Sequence, residues 1–169
     1  LEVELALEAA IALKRPVYLR LGKKGEPQVH SSQPTFQIGK GIQLREGETL
    51  AILGVGNMLP VAVEVADQMT DSGITPTLIS LHTVKPLDDE LLGKIFSEYQ
   101  RIAVIEEHGL AGGAGSAILE WANARQLDSS KMSRFGAEDA FLTGYGDQKN
   151  ARRRLGLEGE LIADRLKEQ

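Results

Sequence analysis

Cysteine is absent from this 169-residue chain, aromatic residues make up only 5% of it, and there are 3 histidines. The first absence excludes disulfides, thiolate nucleophiles and cysteine-ligated metals, and it agrees with an intracellular, cytoplasmic enzyme. No two histidines sit at ligand spacing, so no metal is expected. No apolar run approaches the about 18 residues that crossing a bilayer requires, so no membrane partner is expected either. Positive charge is not in surplus: 19 Lys and Arg against 24 Asp and Glu leave a net charge of −5. That is the wrong sign for nucleic acid as the main partner, since phosphate backbones are bound by excess Lys and Arg. The basic cluster Arg152-Arg153-Arg154 reads as a solvated helix face. The opening Leu-Glu-Val-Glu carries neither an initiator Met nor a signal-peptide pattern, which suggests a chain that begins inside a longer polypeptide.

What is present, 42% hydrophobic and 25% charged residues, suits one globular α/β domain and leaves no room for a second complete one. Residues 1–14 carry apolar positions at Leu1, Leu5, Ala9, Ala12 and Leu13, the spacing of a helix with one buried stripe. Val17 to Leu21 is a short β-rich run, ended by Gly22 and Gly25. Residues 23–34 are polar and aperiodic, the composition of a linker, with His30 read as solvated. Beyond it, elements of different period alternate. Strands are expected at 41–45, 48–54, 75–81, 101–106 and 131–135. Helices are expected at 59–71, closed by Gly73, at 86–99 with Pro86 in the first turn, at 116–126 and at 157–167. This order predicts a three-layer α/β fold, a mostly parallel sheet of about five strands with helices on both faces and right-handed crossovers.

Two glycine-rich turns follow strands. Gly54-Val55-Gly56-Asn57 lacks a third glycine, because Leu59 stands there. The turn from Glu106 to Gly115 exposes N–H groups at a helix start, where Gly112, Gly113 and Gly115 could cradle an anion. It completes neither the dinucleotide fingerprint nor a P-loop, and tight turning against the sheet is the favoured role of its glycines. Glu106, Glu107 and His108 lie where open α/β sheets usually place ligands. Neighbours in an extended segment point to opposite faces, so these three side chains diverge; structural or interface hydrogen bonding is favoured over catalysis. His82 ends a buried-type strand, and no nucleophile elbow appears anywhere, so hydrolysis has no support.

Four segments carry a resemblance. Pro16 to Gly22, Phe36 to Lys40, Leu78 to Asp88 with its His-Thr-Val-Lys-Pro-Leu-Asp, and Ile105 to His108 with Gly112-Gly113-Ala114-Gly115 are similar, in order, to the transketolase family. The form of the third segment looks closest to transketolases split into two subunits. The resemblance implies the transketolase C-terminal domain at residues 41–169. It makes 25–40 the linker and 1–24 the last helix and strand of a pyrimidine-binding domain. It implies transfer of two-carbon ketol units between sugar phosphates. Thiamine diphosphate and magnesium are then held by diphosphate- and pyrimidine-binding domains that this chain lacks, within a homodimer. It further implies that the chain alone has no catalytic residue and binds no cofactor. Arg20 and Lys23 match the family stretch that faces the substrate phosphate, with Lys23 standing where many relatives have Arg.

Two relatives of the same fold family stay open: a deoxyxylulose-phosphate synthase and the beta subunit of a 2-oxo-acid dehydrogenase. So do two other classes, a regulatory module binding phosphate or nucleotide through the loop at Glu107 and His108, and a dimerisation domain. Residues 1–22 are expected to pack on the domain, to exchange with a neighbouring chain or to lack order.

Overall fold

The computed structural model describes residues 1–22 and 25–169. In chain order the elements are α1 (Glu2–Ala12), β1 (Ile42–Arg45), β2 (Leu50–Val55), a 3-10 turn (Gly56–Met58), α2 (Leu59–Asp71), β3 (Thr77–Leu81), α3 (Asp89–Glu98), β4 (Arg101–Gly109), α4 (Ala114–Ala124), β5 (Met132–Ala137), α5 (Gln148–Arg154) and α6 (Gly159–Lys167). The strands form one five-stranded sheet in the order β1-β3-β2-β4-β5. Only β1 runs antiparallel to its neighbour; the β2–β3, β2–β4 and β4–β5 pairs are parallel.

The layers follow from the strand period. In β2, Leu50 and Ile52 face a core shared with Val65 and Met69 of α2 and Ile162 and Leu166 of α6, all buried. Ala51 and Leu53 face the opposite core with Leu92 and Ile95 of α3 and Ile118 of α4. A strand covered on both faces must be apolar at every position, which is why Leu50 to Leu53 reads as an unbroken run. Helix α2 starts and stops where the periodicity places it. Gly73, at φ 87°, lets the chain turn so that Ile74 N–H donates to the Met69 carbonyl (2.9 Å) and Gly73 N–H to Thr70 (2.9 Å).

Four expectations are corrected. Val17 to Leu21 forms no strand, since β propensity is realised only against a bonded neighbour and the segment pairs with neither β1 nor β5 at the sheet edges. Helix α1 buries none of its residues; Val3, Leu7 and Ile11 are exposed. It is tethered through Glu2, whose Oε1 lies 2.6 Å from His30 Nε2, so His30 is paired and largely covered rather than solvated. Pro86 lies outside α3, after a cis Lys85–Pro86 bond. Asp88 caps that helix by accepting from Leu91 N–H at 3.2 Å, with Asp89 and Glu90 at the positive end of the helix dipole. Among the described residues, no helix is long and apolar enough to cross a membrane.

Candidate functional site

Strand order reverses between β2 and β4: α2 leaves β2 on one face and α4 leaves β4 on the other. In open α/β sheets the crevice outside the strand ends at that point is where ligands usually enter. Here it holds Gly56 to Met58 after β2 and Glu106 to Gly115, from the end of β4 into the start of α4.

The strand period sends the three ionisable residues apart, as expected from the sequence. Glu106 turns toward α4 and is 1% exposed. Its Oε2 accepts from Ala114 N–H at 2.7 Å and its Oε1 from Gly115 N–H at 2.9 Å. These are the free donors at the positive end of α4, so an internal carboxylate takes the seat an external anion would need. Gly113 is glycine because of that carboxylate: a Cβ there would stand 2.2 Å from Glu106 Oε2. Gly112, at φ 78°, makes the turn, and its N–H donates to Ser116 Oγ at 3.1 Å. The glycine loop therefore accommodates Glu106, and phosphate binding at this helix start is not what its geometry offers.

Glu107 points to the other face. It accepts from Gln148 Nε2 at 2.8 Å, from Arg152 Nε at 2.7 Å, and from Asn57 Nδ2. Arg152 also donates from Nη2 to the Asn57 carbonyl at 3.2 Å. Burial pushes the Glu107 carboxyl up, but the hydrogen bonds from Asn57, Arg152 and Gln148 outweigh it and hold the group below the ordinary carboxylate value. Arg152 is thus a half-buried tie and not part of a solvated face, which corrects the reading of the basic cluster; Arg153 and Arg154 are exposed. The β2 and β4 sides of the crevice are joined by Asn57 and Glu107, and α5 is pinned across them.

His108 is exposed, with Nδ1 3.2 Å from the Gly109 carbonyl oxygen. His82, just after β3, stacks on Phe36 (ring centroids 4.1 Å apart) and pairs Nδ1 with Thr83 Oγ1 at 2.8 Å, while its buried Nε2 has no partner among the described residues. Burial holds its imidazole below the ordinary value, against the pull of Glu2 and Asp88. Arg20 stands on an exposed irregular stretch. Lys23, expected with Arg20 to face a substrate phosphate, lies outside the described residues. Beside the glycine loop runs an open cleft of about 460 Å³ along Leu110, Ser116, Leu119 and Arg134. Ser116 Oγ in it donates to the Leu110 carbonyl at 2.8 Å, as does Arg134 Nη1 at 2.7 Å.

Sequence reasoning missed Asn57, Gln148 and Arg152 as partners of Glu107. The only local signal for α5 is Asp147, whose side chain accepts from Asn150 N–H at 2.8 Å as its cap. The donor set does not fit a magnesium-bound diphosphate. Both edge carboxylates are engaged by helices, and the described residues contain no group of three or more His, Asp or Glu that could hold a metal.

This is an open α/β domain whose two carboxyl-edge carboxylates are engaged by its own helices. Residues 39–159 match the family described as transketolase, C-terminal domain, and the chain belongs to that family. It is 36% identical over 153 residues to the 1-deoxy-D-xylulose-5-phosphate synthase of Caldanaerobacter subterraneus subsp. tengcongensis, covering 89% of this chain and 24% of that protein. It is 28% identical over 158 residues to one subunit of the apulose-4-phosphate transketolase of Actinobacillus succinogenes, covering 94% and 50%. Among solved structures it is similar to a split gene transketolase captured as an inactive beta4 tetramer, at a TM-score of 0.85 and 28% identity over 96% of this chain and 52% of that one. The chain thus spans about a quarter of the synthase and about half of the split transketolase chains.

Proposed function

We propose that this chain serves as the C-terminal domain of a transketolase-type enzyme that uses thiamine diphosphate and magnesium to move two-carbon ketol units between sugar phosphates. Its own contribution is architecture and assembly, in a homodimer in which diphosphate- and pyrimidine-binding domains hold the cofactor. The observation that carries this reading is the likeness to the split gene transketolase along 96% of the chain. The engaged carboxylates at the sheet edge support the architectural share, because neither is left to move a proton or hold a metal. Arg20 and Lys23 remain the residues proposed to face a substrate phosphate, a task Arg and Lys suit through charge-assisted bonds. His108 and the loop from Gly112 to Gly115 remain proposed as an interface.

Calorimetric titration of the chain with thiamine diphosphate and magnesium tests the division of labour. No heat of binding is expected, and tight binding contradicts it. A second reading, a domain of a 1-deoxy-D-xylulose-5-phosphate synthase, is favoured by the 36% identity to such a synthase. A 1-deoxy product lacks the hydroxyl of a ketol unit, so the donor separates the two. With the cofactor-binding domains supplied, turnover of a ketose phosphate donor supports the first reading and consumption of a 2-oxo acid donor the second.

A further inference from the structure

The connector between α1 and β1 is held at separate points, and two of them are imidazoles. His30 Nε2 lies 2.6 Å from Glu2 Oε1 of α1, with both side chains largely covered. Further along, the half-buried Phe36 lies on the His82 ring, centroids 4.1 Å apart and 25° between the planes. Beyond it the chain is fixed again. Lys40 Nζ donates to Glu90 Oε2 at 2.6 Å and to Asp88 Oδ1 at 3.3 Å, and Gly41 N–H donates to Asp88 Oδ2 at 3.0 Å. Among the described residues, 31–36 make no hydrogen bond to any helix or strand. The hold on that stretch is therefore packing, with the ring stack at its centre.

The floor under Phe36 can take a proton. His82 Nδ1 pairs with Thr83 Oγ1 at 2.8 Å, and its buried Nε2 has no partner among the described residues. A charged imidazole carries N–H on both nitrogens and needs an acceptor at each. The groups facing the ring are Glu2 from α1, His30 and the Lys40 carbonyl from the connector, and Asp88 from the start of α3. Burial opposes the proton and His30 adds to that. Glu2, the Lys40 carbonyl and Asp88 pull the other way without prevailing, so the docked ring is held below the ordinary 6.5. Both carboxylates are already engaged, Glu2 by His30 and Asp88 by Lys40, Gly41 and Leu91. Lifting Phe36 opens the ring to water, which supplies the missing acceptor. The undocked state then binds the proton more tightly than the docked one, and by linkage acid favours undocking.

We propose that the Phe36–His82 stack is a proton-operated latch, closed at neutral pH and released on acidification, that sets whether residues 31–36 lie on the domain or swing free between the anchors at His30 and Lys40. Above about 6.5 neither state holds the proton and the latch is closed. Below it, until the docked ring itself takes the proton, each pH unit weakens docking by up to about tenfold. The Glu2 contact is strengthened when His30 is charged, so α1 stays tethered and the release is confined to the connector.

NMR of the full chain with isotope-labelled Phe and His rings, titrated from about pH 8 to about pH 5, tests it. The Phe36 ring signals, displaced by the His82 ring current at the upper end, are expected to move to solvent-exposed values in a single-proton step below about 6.5. The His82 ring signal is expected to titrate with the same midpoint, while the amides of Leu50 to Leu53 stay unchanged. His82→Phe keeps a ring under Phe36 and removes the proton, so its Phe36 signals stay put across the range. His82→Asn removes the ring, so its Phe36 signals are solvent-like at every pH. A Phe36 ring that keeps its displaced shift while His82 titrates overturns the proposal. So does a transition that persists in His82→Phe, which assigns it to His30, and so does one that takes the β2 amides with it, which makes it unfolding. None of these results bears on the proposed cofactor chemistry, which is read by titration with the cofactor and by turnover.

Discussion

Replacing Glu106 by Gln isolates the internal carboxylate at the start of α4. The side chain is 1% exposed and accepts two backbone N–H groups, at 2.7 and 2.9 Å. A hydrogen bond to an ionised group contributes about 1.5–3 kcal/mol, whereas a neutral one contributes about 1. Gln keeps one acceptor oxygen, so one bond survives in weaker form. Its amide nitrogen then faces the other backbone N–H, donor against donor, in a site water does not reach. An unsatisfied buried donor costs about 1–3 kcal/mol, and losing the charge at the helix dipole adds about 0.5 kcal/mol. The total is about 3–4 kcal/mol, a large part of the stability of a typical domain. With a urea m-value of about 2 kcal/mol/M, the unfolding midpoint falls by about 1.5–2 M, and Tm falls by about 10 °C. Hydrogen exchange of the Ala114 and Gly115 amides accelerates first, because the loss is local. A change below about 0.5 kcal/mol, with both amides still protected, refutes the argument that this carboxylate fills the seat of an external anion.

Three other outcomes follow from single contacts. A Cβ on Gly47 would stand 2.1 Å from the Thr75 carbonyl oxygen and 2.4 Å from Pro76 C; Gly47→Ala therefore destabilises by about 2–3 kcal/mol in urea unfolding. Glu107 is held below its ordinary value near 4.5. A depressed carboxyl adds stability above the unfolded value that is lost as pH falls through the folded one, so Glu107→Gln lowers neutral stability and flattens the loss below about pH 4.5. His82 is shifted the other way, its imidazole held below 6.5 by burial. The folded state resists the proton, so stability falls as pH drops below about 6.5. His82→Phe, which keeps the stack on Phe36 and removes the orphaned Nε2, is at least as stable at about pH 7 and shows a shallower decline on acidification.

Local period and chain punctuation decide what is legible in this sequence. Helix α2 is legible at both ends because Leu59 to Met69 carries the apolar stripe and Gly73 supplies the left-handed stop. The buried runs Leu50 to Leu53 and Ile102 to Ile105 announce central strands, and period two alone foretells that Glu106 and Glu107 diverge. Where a partner distant in sequence decides, local signals mislead. Val17 to Leu21 has the composition of a strand but pairs with neither edge of the sheet. Pro86 has the look of a first helical residue, yet the side-chain acceptor placed for capping α3 belongs to Asp88. Helix α5, Gln-Lys-Asn-Ala-Arg-Arg-Arg, has almost no apolar stripe; it is held by a carboxylate 45 residues away in the chain.

The closure of the edge argues for a role as abutment. A crevice at a strand-order reversal attracts ligands because it exposes helix N-termini and unpaired donors. Here the donors at the start of α4 and the carboxylate beside them are engaged from within. Helix α4 has Glu106, α2 starts behind a 3-10 turn with Pro60 in its first turn, where proline removes a donor, and the gap between them is bridged by Asn57, Glu107 and Arg152. Opening that bridge for a ligand would leave the Glu107 carboxylate and the Arg152 guanidinium half-buried and unpaired, a penalty of several kcal/mol that an incoming group must first overcome. A crevice whose bridge and α4 start are already engaged offers an incoming ligand little, and apolar area lies instead on the exposed rings of Phe141 and Tyr145, on the segment that α5 anchors to this same bridge.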